Sequence, residues 1–292
     1  MPVIIDTDPG IDDAIAILYA LRHPDLDVLA LTTVAGNIGL SVTTRNAGRI
    51  ATLSGVGVPV HPGAAAPLGR KPAPETAIHG QDGLGGVAFP DPSDAPSDIG
   101  AVEAMQAILT GPRPVDLFCL GPLTNLALLL EADPDSAGRI RRVIAMGGAV
   151  DEPGNVNDRK AEFNIAHDPE AALRVLSAGL PLTLIPLDAT RQLRADAAYI
   201  AELKATGAAP AVATAELIEA YFTGTTGGES RPLHDPCVPL LALNDGLFTV
   251  ERRDLTVELE TGALVPGPYA VDVAMRLDAP ALRAALLRGL TC

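Results

Sequence analysis

The chain has 292 residues, 48% of them hydrophobic and 20% charged, a balance that supports a large buried core and argues against disorder. A formal net charge of −15 leaves no basic stripe for a phosphate backbone, which argues against nucleic-acid binding. The three cysteines (Cys119, Cys237 and Cys292) are widely spaced and form neither a disulfide framework nor a CxxC metal pattern, so a reducing compartment is expected.

Met1–Asp6 carries no basic run and reaches a charge at Asp6, unlike a signal peptide. No apolar run reaches the roughly 18 residues of a membrane span. The expectation is a cytoplasmic protein without membrane contact. Val3–Asp8 reads as a buried strand, and Ile11–Arg22 as a helix with Ile11, Ile15, Leu18 and Tyr19 at helical spacing. Val28–Val34 predicts a second strand and Ser41–Ser54 a second helix. Gly63–Pro96, rich in Gly, Pro and Asp, reads as a long loop. Three further strands are predicted at Val115–Leu120, Arg142–Met146 and Leu182–Leu187, with helices near Leu123–Glu131 and Pro169–Ala178. Gly147–Ala161 is a second long loop, and loops of this length in a compact domain are usually functional or disordered. From Ala195 to about Gly246 the pattern is helical. Phe248–Glu258 and Ala270–Arg276 then read as an antiparallel pair before a final helix. Continuous apolar strands separated by helices imply an α/β fold, a mostly parallel, open, Rossmann-like sheet covered by helices on both faces. No linker interrupts it, so residues 1–292 are expected to form a single domain.

Unusual polar residues cluster where strands end: Asp8, Gly36-Asn37, Gly121 to Asn125, Met146-Gly-Gly and Asp188-Ala-Thr. Ligands of open α/β sheets bind outside the carboxyl ends of the strands, so these positions point to one site. Asp6, Asp8, Asp12 and Asp13 fall within eight positions, with no lysine or arginine before Arg22. Helix capping, worth about 0.3–1 kcal/mol per carboxylate, accounts for one or two of them. Four without a local base call for a divalent cation, and hard oxygen donors without His or Cys suit Ca²⁺ or Mg²⁺. Asp235, preceded by His234, opens a predicted helix and forms a second acidic centre. Asp168-Pro169 reads as a structural helix start, while Glu162 and Asn164 lie upstream in the loop facing the crevice.

"DTDPGIDDA" resembles the DxDPGxDDA signature of the nucleoside hydrolase family, the inosine–uridine-preferring type. "VAGNIGL", "HGQDGLGG", "LGPLTNLA", "MGGA", "GNVNDRKAEFN", "DPEAA" and "LHDPC" agree with the same family in order, between Val3 and Cys237. The resemblance implies a Ca²⁺ ion held by Asp8, Asp13, the Leu120 carbonyl and Asp235, with a water and two ribose hydroxyls completing its shell. It implies that Asp12, Asn155, Glu162, Asn164 and the Met146 carbonyl grip the ribose, with Asn37 near the reaction centre and Asp6 orienting the neighbouring loop. Ribosyl transfer passes through an oxocarbenium-like state. In the family the ion lowers the pKa of its water, which implies Asp8 as the base, and His234 is assigned as the general acid for the departing base. His79 is placed on a lid, against the base or the 5′-hydroxyl, and Ile78 against the base. The implied substrate is a small-molecule ribonucleoside, purine or pyrimidine, and the implied assembly a homodimer or homotetramer.

Two departures from the family pattern stand out. "GNVNDRKAEFN" is about one residue longer than usual between GN and AEFN. The Tyr221–Arg231 segment has Tyr221 but places Thr225, Thr226 and Arg231 where relatives carry further tyrosines, and the chain has no tryptophan to stack a purine. A haloacid-dehalogenase-type phosphatase would also place DxD after its first strand, yet Pro-Gly follows it here. A calcium-dependent nucleoside- or sugar-binding protein would keep the ribose grip but would not need Asp8 and His234 together.

Overall fold

The computed structural model describes residues 1–224 and 230–292. The chain begins with β1 (Pro2–Thr7), α1 (Ile11–Arg22), β2 (Asp27–Thr33), α2 (Leu40–Ser54) and β3 (Val60–Pro62). The long loop that follows contains one helical turn, α3 (Thr76–His79), and leads into α4 (Ala101–Leu109). Then come β4 (Val115–Cys119), α5 (Thr124–Ala132), β5 (Ile140–Met146), α6 (Phe163–His167), α7 (Pro169–Ser177), β6 (Leu182–Ile185) and the short α8 (Leu187–Thr190). The last third holds β7 (Arg194–Asp196), α9 (Ala197–Ala205), α10 (Ala209–Gly224), β8 (Ser230–Pro232), α11 (Cys237–Leu243), β9 (Phe248–Val257), β10 (Leu264–Pro266), β11 (Tyr269–Leu277) and α12 (Ala279–Leu290).

Nine strands form one open sheet in the order β10-β9-β11-β6-β5-β4-β1-β2-β3. Pairing is parallel from β3 through to β11, and β9 then runs antiparallel to β11 and to β10. Alternation along the strands splits the core in two. Val3, Ile5 and Phe118 pack with α1, α2 and the C-terminal helices, while Ile4, Leu117 and Cys119 pack with α4, α5 and α7 on the opposite face. Burial on both faces explains why the central strands carry consecutive apolar residues, as in Val3–Ile5, Leu117–Cys119 and Val143–Met146. Among the described residues, no helix is long and apolar enough to cross a membrane.

Several boundaries differ from the sequence expectation. β3 and β10 are three residues each, too short for a periodic signal, and α3 lies inside a stretch that reads as loop. The helical run after Ala195 is interrupted by the small β7–β8 pair. Asp235 does not open a helix: α11 starts at Cys237, and His234 and Asp235 sit in the preceding turn, where their side chains are free to face the crevice.

Candidate functional site

The carboxyl ends of the parallel strands converge on a pocket. Asp12, Asn37, Ile78 and His79 line one side, and Met146, Asn155, Glu162 and Asn164 the other. Leu120, His234 and Asp235 complete the set expected from the sequence. Glu75, Val156, Phe163 and Tyr221 also line it. Of these four, Tyr221 is named from sequence, Val156 and Phe163 lie within "GNVNDRKAEFN" without an assigned role, and Glu75 carries no sequence signal. Asp8 and Asp13 lie beneath the pocket floor with no exposed surface. Thr225 and Thr226 lie outside the described residues.

The floor is built by the turn between β1 and α1. Asp13 Oδ1 accepts from the Thr7 hydroxyl at 2.6 Å and from the Asp8 N–H at 3.2 Å. Its Oδ2 accepts from the Gly10 N–H at 3.0 Å and the Asn37 amide at 3.1 Å. Asp8 Oδ2 accepts from the Asn37 N–H at 2.6 Å, while its Oδ1 is buried without a partner among the described residues. Gly36 and Gly121 close over this carboxylate, and a Cβ at either position would lie under 3.0 Å from Asp8 Cγ. Those two glycines are therefore set by close approach rather than by backbone conformation. Burial drives the Asp8 carboxyl well above its usual range, with the Asp13 charge adding to it. Asp13 is raised by burial and by Asp12, and Asp235 well above its usual range by burial and the three neighbouring aspartates.

One carboxylate oxygen from each of Asp12, Asp13 and Asp235 falls within 4.8 Å of the others. This grouping holds Asp12 where the family resemblance places Asp8. The partnerless Asp8 oxygen, the crowded acids and a donor set made only of oxygen all fit a hard divalent cation, which would relieve the mutual repulsion. The Leu120 carbonyl accepts from the Asn164 amide at 2.8 Å, and the same amide reaches the Met146 carbonyl at 3.1 Å. Asn164 thereby bridges two of the carbonyls assigned from sequence.

Glu162 is the N-cap of α6, accepting from the backbone N–H groups of Asn164 and Ile165 and also from that of Gly148. Burial outweighs these bonds and pushes its carboxyl up to about 7. Asn155 caps the same segment, its Oδ1 accepting from the Phe163 N–H at 3.0 Å. The long loop turns through three consecutive left-handed residues, Asn157, Asp158 and Arg159, and closes where Asn155 and Val156 both donate to the Ala161 carbonyl. Asp6 lies deeper. Its Oδ1 accepts from Thr32 and from the Asn125 amide, which also binds the Thr33 carbonyl, and burial pushes its carboxyl up to about 7. Asp168 caps α7 and holds the Leu68 N–H and the Thr124 hydroxyl, a structural set of contacts.

Two histidines face the pocket. His79 Nδ1 accepts from the Ile11 N–H at the start of α1, at 3.1 Å. His234 Nδ1 meets the Thr190 hydroxyl at 2.7 Å. Burial and the charges of Arg191 and Arg194 lower His234 to about 3, so its ring is neutral near pH 7. Thr190 belongs to α8, as does Asp188, whose carboxylate accepts from the N–H groups of Val150, Asp151 and Glu152. Sequence reading places Asp188-Ala-Thr at a strand end; only folding brings it against both the long loop and His234.

Residues 3–284 match the family model described as inosine-uridine preferring nucleoside hydrolase. The chain is 38% identical over 288 residues to the non-specific ribonucleoside hydrolase RihC of Escherichia coli, covering 96% of this chain and 91% of that one. Its fold superposes on a plant nucleoside hydrolase with a TM-score of 0.91 at 31% identity, covering 100% and 99% of the two chains. It superposes also on a purine-preferring ribonucleoside hydrolase from Gardnerella vaginalis, with a TM-score of 0.92 at 28% identity and coverage of 100% and 98%.

Proposed function

From the premise that the chain belongs to the inosine-uridine preferring nucleoside hydrolase family and is an N-glycosidase, we propose that it is a calcium-dependent enzyme acting on ribonucleosides with purine, pyrimidine or either base. The observation that carries this reading is one pocket with a buried acidic floor and two histidines set at its wall. Asp8, Asp13, Asp235 and the Leu120 carbonyl would hold the cation, with Asp12 close enough to share it. When bound, Ca²⁺ would neutralise these acids and supply Lewis acidity to the water that attacks the sugar.

The ribose is held by Asp12, Asn155, Glu162, Asn164 and the Met146 carbonyl. Fixing the sugar removes much of the entropic barrier, and the carboxylates favour the positive charge that develops on it. Asp8 takes the proton of the attacking water as the general base. Asn37 fixes Asp8 and Asp13 through its backbone and side-chain N–H groups, which sharpens its role from pocket wall to positioning. Ile78 packs on the base. His234 supports departure of the base as a neutral donor, and His79 donates nearby. The whole of residues 1–292 acts as one catalytic unit in this reading.

The test is release of reducing sugar from ribonucleosides and their 2′-deoxy analogues, with and without chelation of divalent cations. Ribonucleosides are expected to react and deoxynucleosides to fail, because the diol contributes two of the groups that the floor binds. Equal rates on both, or full activity after exhaustive chelation, would reject the cation–diol arrangement.

A further inference from the structure

Thr190 is fully buried, and among the described residues its hydroxyl has one hydrogen-bond partner, His234 Nδ1 at 2.7 Å. The hydroxyl hydrogen therefore points at Nδ1 or at nothing. If Nδ1–H were the donor, the Thr190 hydrogen would be left unpaired in a buried site, disfavoured by roughly ten- to a hundredfold. We propose that Thr190 is a positioning residue whose hydroxyl donates to His234 Nδ1, fixing the imidazole in the tautomer that carries its hydrogen on Nε2, toward the leaving base. This rests on the proposed role of His234 at the base end of the pocket.

The frame around Thr190 is rigid enough to do this. Asp188, two residues earlier on α8, is held by three backbone N–H groups of the long loop. Gln192, two residues later, donates to both the Asp188 carbonyl and the Met275 carbonyl in β11. Arg191 reaches the carbonyls of Pro153 and Gly154, next to Asn155. One turn of helix thus ties the orientation of His234 to the loop that carries Asn155 and leads to Glu162. His79 is set the same way, because a backbone N–H can only donate and the Ile11 N–H fills its Nδ1. Both histidines then turn Nε2–H outward. The base end of the pocket presents two donors and suits leaving groups that offer lone-pair acceptors.

The experiment compares Thr190→Val, which keeps shape and loses the hydroxyl, with Thr190→Ser, which restores it. Thr190→Val is expected to lower kcat on natural ribonucleosides about 10- to 100-fold with KM within about twofold, and to leave a nitrophenyl riboside nearly unaffected. Thr190→Ser should recover most of the loss. Equal losses on both substrates, or no loss on nucleosides, would overturn the proposal. Nitrogen-15 spectra of the His234 ring provide a readout independent of turnover. The wild type should show the Nε2–H tautomer, and an Nδ1–H ring there would overturn the proposal even if Thr190→Val failed to fold. His234→Ala separates the two readings. If it leaves nucleoside hydrolysis intact, the role of His234 fails, and the proposal that Thr190 serves the reaction falls with it, whatever tautomer the spectra show.

Discussion

Gly121→Ala isolates the placement of Asp8 from its chemistry. Gly121 is not among the residues with a left-handed backbone, so alanine can adopt its conformation. The added Cβ would lie 2.7 Å from Asp8 Cγ and closer still to Oδ1, whereas ordinary contact begins at 3.4 Å. The carboxylate has nowhere to retreat. Asn37 holds Oδ2 at 2.6 Å, and Gly36 closes the other side, where a Cβ would be 2.8 Å from the same Cγ. The clash therefore moves Asp8 or the strand end by about 1 Å, and a misplacement of that size costs on the order of 10²-fold in rate, about 2.7 kcal/mol. Overpacking itself costs about 1–3 kcal/mol of stability, which a protein of this size can survive. The assay is kcat and KM for ribose release alongside a thermal melt, with Gly39→Ala as control because a Cβ there meets nothing within 4 Å. The expected result is a kcat about 100-fold lower in a cooperatively folded protein, with the control unchanged. A kcat within twofold of wild type would refute the placement of Asp8 derived from these contacts.

Removal of divalent cations should lower the melting temperature by several degrees, since a ligand at 100 times its Kd contributes about 2.7 kcal/mol. Ca²⁺ should restore it in the wild type but not in Asp235→Asn, as read by calorimetry. Asp188→Ala strips one acceptor from three N–H groups of the long loop and should raise KM about tenfold with kcat largely kept; an unchanged KM would remove the loop from substrate binding. His167 is buried against Phe163, neither ring nitrogen has a partner among the described residues, and burial lowers its pKa from 6.5. The folded state thus binds the proton less readily than the unfolded chain. Its contribution is complete above pH 6.5 and is lost as pH falls below that value, by at most about 1.4 kcal/mol per pH unit. Denaturant titrations of wild type and His167→Leu between pH 8 and pH 5 should show the steeper loss in the wild type. Identical slopes would mean that the ring is protonated in the folded protein.

Much was legible before folding. Strands such as the one opening at Val3 carry consecutive apolar residues because helices cover both faces, so their existence and the parallel sheet follow from composition and spacing. The aspartates between Asp6 and Asp13 are neighbours in sequence, and a local excess of charge is visible without a third dimension. The rest was decided by tertiary contact. Asp235 joins Asp12 and Asp13 only because the turn before α11 is brought to the end of β1, more than two hundred residues away in sequence. Asp12, assigned to the sugar by the family resemblance, is found within the acidic grouping, because the start of α1 points it at that turn. Gly36 and Gly121 mark strand ends in the sequence, but their small size matters because the Asp8 carboxylate lies between them. Thr190 is an unremarkable helix-end hydroxyl until His234 is folded against it. Chain-local physics determined which residue types were present and which strand ends they followed. Hydrogen-bond partners, close approach and the crowding of charge depend on distances between segments remote in sequence, and only the folded sheet sets those.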